Sequence, residues 1–369
     1  MKFIFTRSAG ILIAIIATAI FLVGCGAAPA TGWASASVAN QIAFLGTANG
    51  KIFAIDTTNG SLKSEFPAEK DRALGALYAT PVVAGDLVYV GGFDKKLYAL
   101  DIANLAKKWE FATEKTIVST PVVSGGVIYF AANDPKVFAL DAVSGSKKWD
   151  FALKGEVWAD LALADGTLYV ASLDHKMYAL DAQSGSKQWE FDAQGIITTK
   201  PAVANGIVYF AGLTKLFALD ARTGAAKWAQ PFDAGNWVWS NPVIAQGVLY
   251  FGTLGGDVYA LDALTSQTKW NAPFKAGDAI RSAIVIDNGV GYFGSDDNKL
   301  YALDLATGKE KWRAVQTRGR IVASPVIANG VVYVPSYDKL FYAVNAADGK
   351  VKWALNLDSR LLVNPTTTP

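Results

Sequence analysis

The 369-residue chain has one cysteine, Cys25, and one histidine, His175. A single cysteine excludes any disulfide within the chain, so the fold must hold by packing alone. A zinc-type centre needs about four nitrogen or sulfur ligands, and Ser-His-Asp or Cys-His nucleophiles need an imidazole beside them. His175 stands in Leu173-Asp174-His175-Lys176, where other stretches carry Asp-Lys-Lys or Asp-Pro-Lys, the pattern of a solvated turn. No metal site, cofactor ligand set or catalytic residue is therefore expected. Charge is scarce too. Charged residues make up 18% of the chain, and setting aside Lys2 and Arg7 leaves 32 basic against 32 acidic residues. That balance gives no electrostatic footprint for nucleic acid. What abounds is apolar: 51% of residues are hydrophobic, which suits a large core and argues against disorder.

Residues 1–24 place Lys2 and Arg7 before an apolar run from Ile11 to Val23. A basic start and a run too short to span a bilayer are the pattern of a secretory signal peptide. The run ends in Leu22-Val23-Gly24-Cys25, which resembles the lipobox of bacterial lipoproteins. That resemblance implies cleavage before Cys25 and acylation of it, with about 0.8 kcal/mol per buried methylene and two or more chains for stable anchoring. Gly26, not Asp, follows, which in a Gram-negative cell implies sorting to the outer membrane, facing the periplasm. Residues 25–37 then read as the lipidated cysteine and a flexible tether of small residues, and 38–369 as the folded domain. The plainer alternative is a signal peptide that merely contains a cysteine. The position of the only cysteine favours lipidation.

Self-similarity dominates the rest. Aromatic-Ala-Leu-Asp recurs at Phe53–Asp56, Tyr98–Asp101, Phe138–Asp141, Tyr178–Asp181, Phe217–Asp220, Tyr259–Asp262 and Tyr301–Asp304, with an eighth variant copy at Tyr342–Asn345. Successive copies lie 45, 40, 40, 39, 42, 42 and 41 residues apart. A tryptophan follows eight residues after the Asp or Asn in seven copies: Trp109, Trp149, Trp189, Trp228, Trp270, Trp312 and Trp353; the first has Ser64. Such a period predicts an all-β, eight-bladed propeller of four-stranded antiparallel blades. In the third copy, strands are expected at 117–123, 127–131, 136–141 and 147–151, with Ser124-Gly125-Gly126 and Val143-Ser144-Gly145 as turns. One Asp per blade at a fixed turn is a backbone-capping residue, not a catalytic array. The seven tryptophans are expected to lock neighbouring sheets. Arg360–Pro365 matches Arg320–Pro325, and the segment from Val38 resembles that from Val326. The ring is therefore expected to close by joining N- and C-terminal strands in one blade, as a monomer.

The repeat Tyr-Ala-Leu-Asp-Ala-x-Ser/Thr-Gly-x-x-x-Trp resembles that of the pyrroloquinoline-quinone (PQQ) propellers across residues 38–369. The quinone-dependent dehydrogenases among them typically carry an adjacent cysteine pair and acidic calcium ligands, and no cysteine follows Cys25 here. Together with the lipobox, the repeats resemble the BamB family of outer-membrane protein assembly lipoproteins. That resemblance implies a non-catalytic scaffold that binds a barrel-assembly protein through one mouth of the propeller. A ligand-binding or PQQ-dependent propeller is the alternative.

Positions that differ between copies escape the common structural demand. In the segments leading into each blade, Trp158, Trp237 and Trp239 are surplus to the repeat, as are Arg281, Arg318 and Arg320. Tryptophan and arginine are the residues in which interface energy concentrates, so these six are the candidate partner-binding residues. The same rings could instead fill gaps between blades.

Overall fold

The computed structural model describes residues 34–68 and 73–363, all strand, turn and loop. The signal-peptide and lipidation assignments, Cys25 included, lie outside the described residues. Eight antiparallel meanders follow one another: blade 1 (36–66), blade 2 (82–112), blade 3 (122–152), blade 4 (162–192), blade 5 (202–233), blade 6 (243–275), blade 7 (285–316) and blade 8 (326–356). Blade 3 shows the pattern, with strands Val122–Ser124, Val127–Ala132, Lys136–Asp141 and Lys147–Ala152. Its first strand is shorter than expected, because residues 117–121 form the crossing from blade 2 and only the last residues pair with Val127–Tyr129.

The first strands of neighbouring blades lie against one another, Val326–Ala328 against Ala36–Ala39 included, so they line the axis. The middle strands bury both faces, as in Ile128–Ala132 and Val137–Leu140. Outer strands alternate instead: Lys147 and Lys148 are exposed while Trp149 is half-buried. The core is thus a set of slabs between adjacent blades.

The repeated residues perform as packing elements. Asp141 accepts the backbone N–H groups of Val143 and Ser144 at 3.1 and 2.9 Å, and Gly145 takes φ 73°, closing the turn before the outer strand. Each repeat tryptophan donates its indole N–H across a seam to a backbone carbonyl of the next blade. The distances run from 3.0 Å for Trp149 to Ala182 up to 3.3 Å for Trp353 to Thr57.

Ring closure differs from the expectation. Blade 1 is complete from residues 36–66, and among the described residues no blade is shared between the two ends of the chain. Leu362–Val363 pairs instead with Ala354 and Leu355, adding a fifth strand to the outside of blade 8. Arg360 matches Arg320 in sequence, but the turn at Asn356, whose side chain accepts Asp358 and Ser359 N–H, folds the segment outward. Blades 8 and 1 meet through side chains, in a cluster holding Phe53, Ile55, Tyr333 and Trp353. Arg360 also reaches Glu65 of blade 1 at 2.7 Å through Nε and 3.2 Å through its second nitrogen.

Candidate functional site

In an antiparallel meander the loops alternate between ends. The crossings into each blade share one face with the loops between second and third strands. The Asp-containing turns occupy the other. Each crossing is tied to the loop of the blade it enters by a backbone bond: Phe93 N–H to Ala76, Leu254 N–H to Trp237, Asp296 N–H to Ala279 and Tyr337 N–H to Arg320. Crossing and loop side chains therefore meet in pairs.

Blades 6, 7 and 8, neighbours in the ring, carry these pairs in an arc along one side. Trp237 and Trp239 meet edge to face, ring centroids 5.6 Å apart. The Arg281 guanidinium lies 5.9 Å from the Trp239 centroid and donates from Nε to Asp296 at 2.9 Å. Arg320 stacks over the Tyr337 ring at 4.7 Å. The Arg318 backbone N–H donates to Asp338, which also accepts the Tyr342 hydroxyl at 2.7 Å. Burial, and then Asp338, hold that phenol well above its ordinary value. Trp237, Trp239 and Arg281 are half-buried, while Arg318 and Arg320 are exposed. The Trp237 indole N–H is buried without an acceptor. Five of the six sequence candidates thus gather on one side. Trp158 does not join them. It stands at blade 4, opposite blade 8 in the ring, half-buried and donating to Glu156 at 3.1 Å. His175 is an exposed loop residue at φ 74° on the same face.

Sequence reasoning missed Asp296 and Tyr337, which orient the arginines. The signal was there, since both follow the Ser that opens a variable loop, Ser295 and Ser336. It also took the residues just before each blade's first strand as free of structural demand. The structure corrects this: they link blades around the axis. Ser35 N–H donates to Thr80 Oγ1 at 3.2 Å, Thr80 N–H to Thr120 Oγ1 at 3.2 Å and Thr120 N–H to Asp160 Oδ1 at 2.7 Å. Lys200 N–H donates to Asn241 at 2.8 Å and Ala283 N–H to Ser324 at 2.8 Å. Burial pushes the Asp160 carboxyl up, against the pull of Lys200 and the Thr120 N–H.

The family model described as outer membrane protein assembly factor BamB matches residues 24–151, 137–287 and 275–368. The chain belongs to that family. Among solved structures, it is similar to BamB from Moraxella catarrhalis, at 20% identity and a TM-score of 0.67, over 83% of this chain and 91% of that one. It is similar to a computationally designed protein at 16% identity and a TM-score of 0.73, over 89% of this chain and 96% of the other. It is also similar to the quinohemoprotein alcohol dehydrogenase ADHIIG from Pseudomonas putida, at 16% identity and a TM-score of 0.65, over 85% of this chain and 70% of that one. At such identities the likenesses carry the fold alone. The comparison with curated proteins found no match.

A quinone site with calcium would require several convergent oxygen ligands. Among the described residues no three Asp, Glu, His or Cys side chains converge in a way that could hold a metal ion. The described acidic side chains therefore supply no three-ligand calcium site.

Proposed function

We propose that this protein is a non-catalytic, lipid-anchored scaffold of the bacterial envelope, assisting the assembly of outer-membrane β-barrels from the periplasmic side. The observation that carries the reading is the arc of Trp237, Trp239, Arg281, Arg318, Arg320 and Tyr337 in a chain of the BamB family. Aromatic and arginine side chains on a rigid scaffold are the usual anchors of a protein interface. The partner is a barrel-assembly protein, and Trp158 forms a secondary contact across the mouth.

The anchor supports this orientation. Ser35 occupies the register of Thr80, at the end of the crossings, so the chain enters the ring on the face that carries the arc. Residues 25–33 can extend at most about 30 Å from the ring. A lipid on Cys25 would hold that face near the membrane.

Affinity capture from envelope membranes tests the proposal. Wild type should co-isolate a barrel-assembly protein, and Trp239→Ala with Arg320→Ala should lose it while keeping its melting temperature. Equal capture by that folded double variant would remove the arc from the function. A melting shift on adding PQQ and calcium would favour the quinone-binding alternative, since a ligand that binds only the folded state stabilises it.

A further inference from the structure

We propose that the seam between blades 1 and 2 is a second binding site, a slot that takes one aromatic side chain, foremost an indole, from a partner polypeptide. At the seven other seams an indole of this chain fills the corresponding place. Trp109, for example, donates to the Ala142 carbonyl at 3.2 Å, and the Tyr89 hydroxyl donates to the same oxygen at 2.9 Å. In blade 1 both donors are gone: Ser64 stands in the register of Trp109, opposite Ala54, and Phe44 stands in that of Tyr89. The carbonyl in the register of Ala142 is that of Ile102, fixed by the Ile102 N–H bond to Asp86 as Ala142 is fixed to Gly126.

The place is not refilled completely. Leu105 stands where blade 3 has Gly145, at φ 58° and 1% exposed, and occupies the base of the vacated space. A cavity of about 280 Å³ remains, lined by Asn40, Ile42, Ala54, Lys63, Ile102 and Ala103. Ser64, paired across the strands with the lining residue Ala54, has its Oγ buried without a hydrogen-bond partner. An apolar cavity of about 150 Å³ holds a benzene ring, so this one has room for a bicyclic ring. Ile42, Ala54 and Ile102 offer apolar walls, and the Ile102 carbonyl offers an acceptor of the kind an indole N–H satisfies elsewhere in the ring. Asn40 stands at the lip and can pair with the backbone flanking an inserted side chain, which a free aromatic molecule lacks, while Lys63 beside it is held in an ion pair with Asp56 at 3.1 Å. The slot opens on the face opposite the Trp–Arg arc, so the two sites are separable.

The test is ¹⁹F NMR of the full chain titrated with the capped tripeptide Ala-5-fluorotryptophan-Ala. Wild type should shift and broaden the fluorine line. Ala103→Trp, which plugs the lip from an exposed turn, should weaken binding at least tenfold. Val143→Trp, at the matching turn of blade 3, should leave it unchanged. Ser64→Trp with Leu105→Gly, which supplies the chain's own indole, should abolish it. No binding to wild type, or equal binding to wild type and Ala103→Trp, would overturn the site. Free 5-fluoroindole binding as tightly as the tripeptide would overturn its assignment to a polypeptide partner.

Discussion

Putting the missing indole back measures how far the eight seams are copies of one another. At six of the seven seams with a repeat tryptophan the facing residue is a glycine with no room for a side chain, Trp228 facing Ser266 instead: a Cβ on Gly145 would lie 2.8 Å from Trp109, and one on Gly185 would lie 2.7 Å from Trp149. Leu105 with Ser64 is thus a swap of bulk across the seam. Leu105→Gly alone removes a fully buried leucine, a loss of about 2–5 kcal/mol, partly offset because glycine relieves the backbone at φ 58°. Ser64→Trp alone roots an indole at the base of the slot, where Leu105 already stands, an overpacking penalty of about 1–3 kcal/mol that a ring entering from the lip does not meet. Together they recreate the stacked Trp–Gly pair and add an indole N–H bond to Ile102, a net gain of about 1 kcal/mol. The double variant should therefore be about as stable as wild type, with a coupling near the top of the roughly 0.5–3 kcal/mol range for touching residues. Urea unfolding of the four proteins, followed by circular dichroism, gives the cycle. A coupling below about 0.5 kcal/mol would refute the equivalence of the seams.

Three further outcomes are expected. Phe138→Tyr should stabilise the protein by about 1–2 kcal/mol in denaturant unfolding, because it gives Asp134 a hydroxyl donor. Tyr178 and Tyr342 supply that donor to Asp174 and Asp338 at 2.7 Å, whereas both Asp134 oxygens are buried without one. The ring fits, since Phe138 stacks on Phe130 at the same 5.2 Å as Tyr301 on Phe293. Asp160→Asn should raise the melting temperature at pH 7 and leave it unchanged near pH 3. A carboxyl whose folded pKa is raised favours the folded state only while protonated, so its destabilisation sets in as pH climbs from about 4, its unfolded value. The amide keeps the Thr120 bond, as Asn241 does for Lys200. Glu65→Gln should destabilise by about 1–3 kcal/mol, with hydrogen exchange rising first at the blade 8–blade 1 seam. Glu65 pairs with Arg360 at 2.7 Å and with Lys51 at 3.5 Å, and its side chain is only 13% exposed.

The fold was legible because its grammar is local. The spacing of Asp141, Gly145 and Trp149 encodes a turn, a contact surface and a cross-seam bond, and the same triplet recurs around the ring. Closure was not legible, because sequence similarity between Arg320 and Arg360 carries no sign of which edge a strand will pair with. Blade 1 was already complete, and the turn at Asn356 brings Leu362–Val363 back onto the outer edge of the strand it follows in blade 8. The arc was half legible. Repeat comparison isolated Trp237, Trp239, Arg281 and Arg320, but their partners Asp296 and Tyr337 come from another loop, joined by a backbone bond that no sequence spacing reveals.

That difference bears on where function sits in a repeat protein. A side chain that recurs from blade to blade is accounted for by the ring itself, as the seven indole N–H bonds show. Only departures are free to serve something else, and each departure must still be checked for a structural use. Thr80, Thr120 and Asp160 fail that check as binding residues, because they link the blades around the axis. The two arginines of the crossing into blade 8 pass it, since Arg318 and Arg320 remain exposed after their contacts are made. Ser64 passes it in the opposite sense: it departs by subtraction, and the space it leaves is only partly recovered by Leu105. Two kinds of asymmetry, an added arc on one face and a missing wedge opening on the other, therefore mark the places where an otherwise uniform ring can meet a partner.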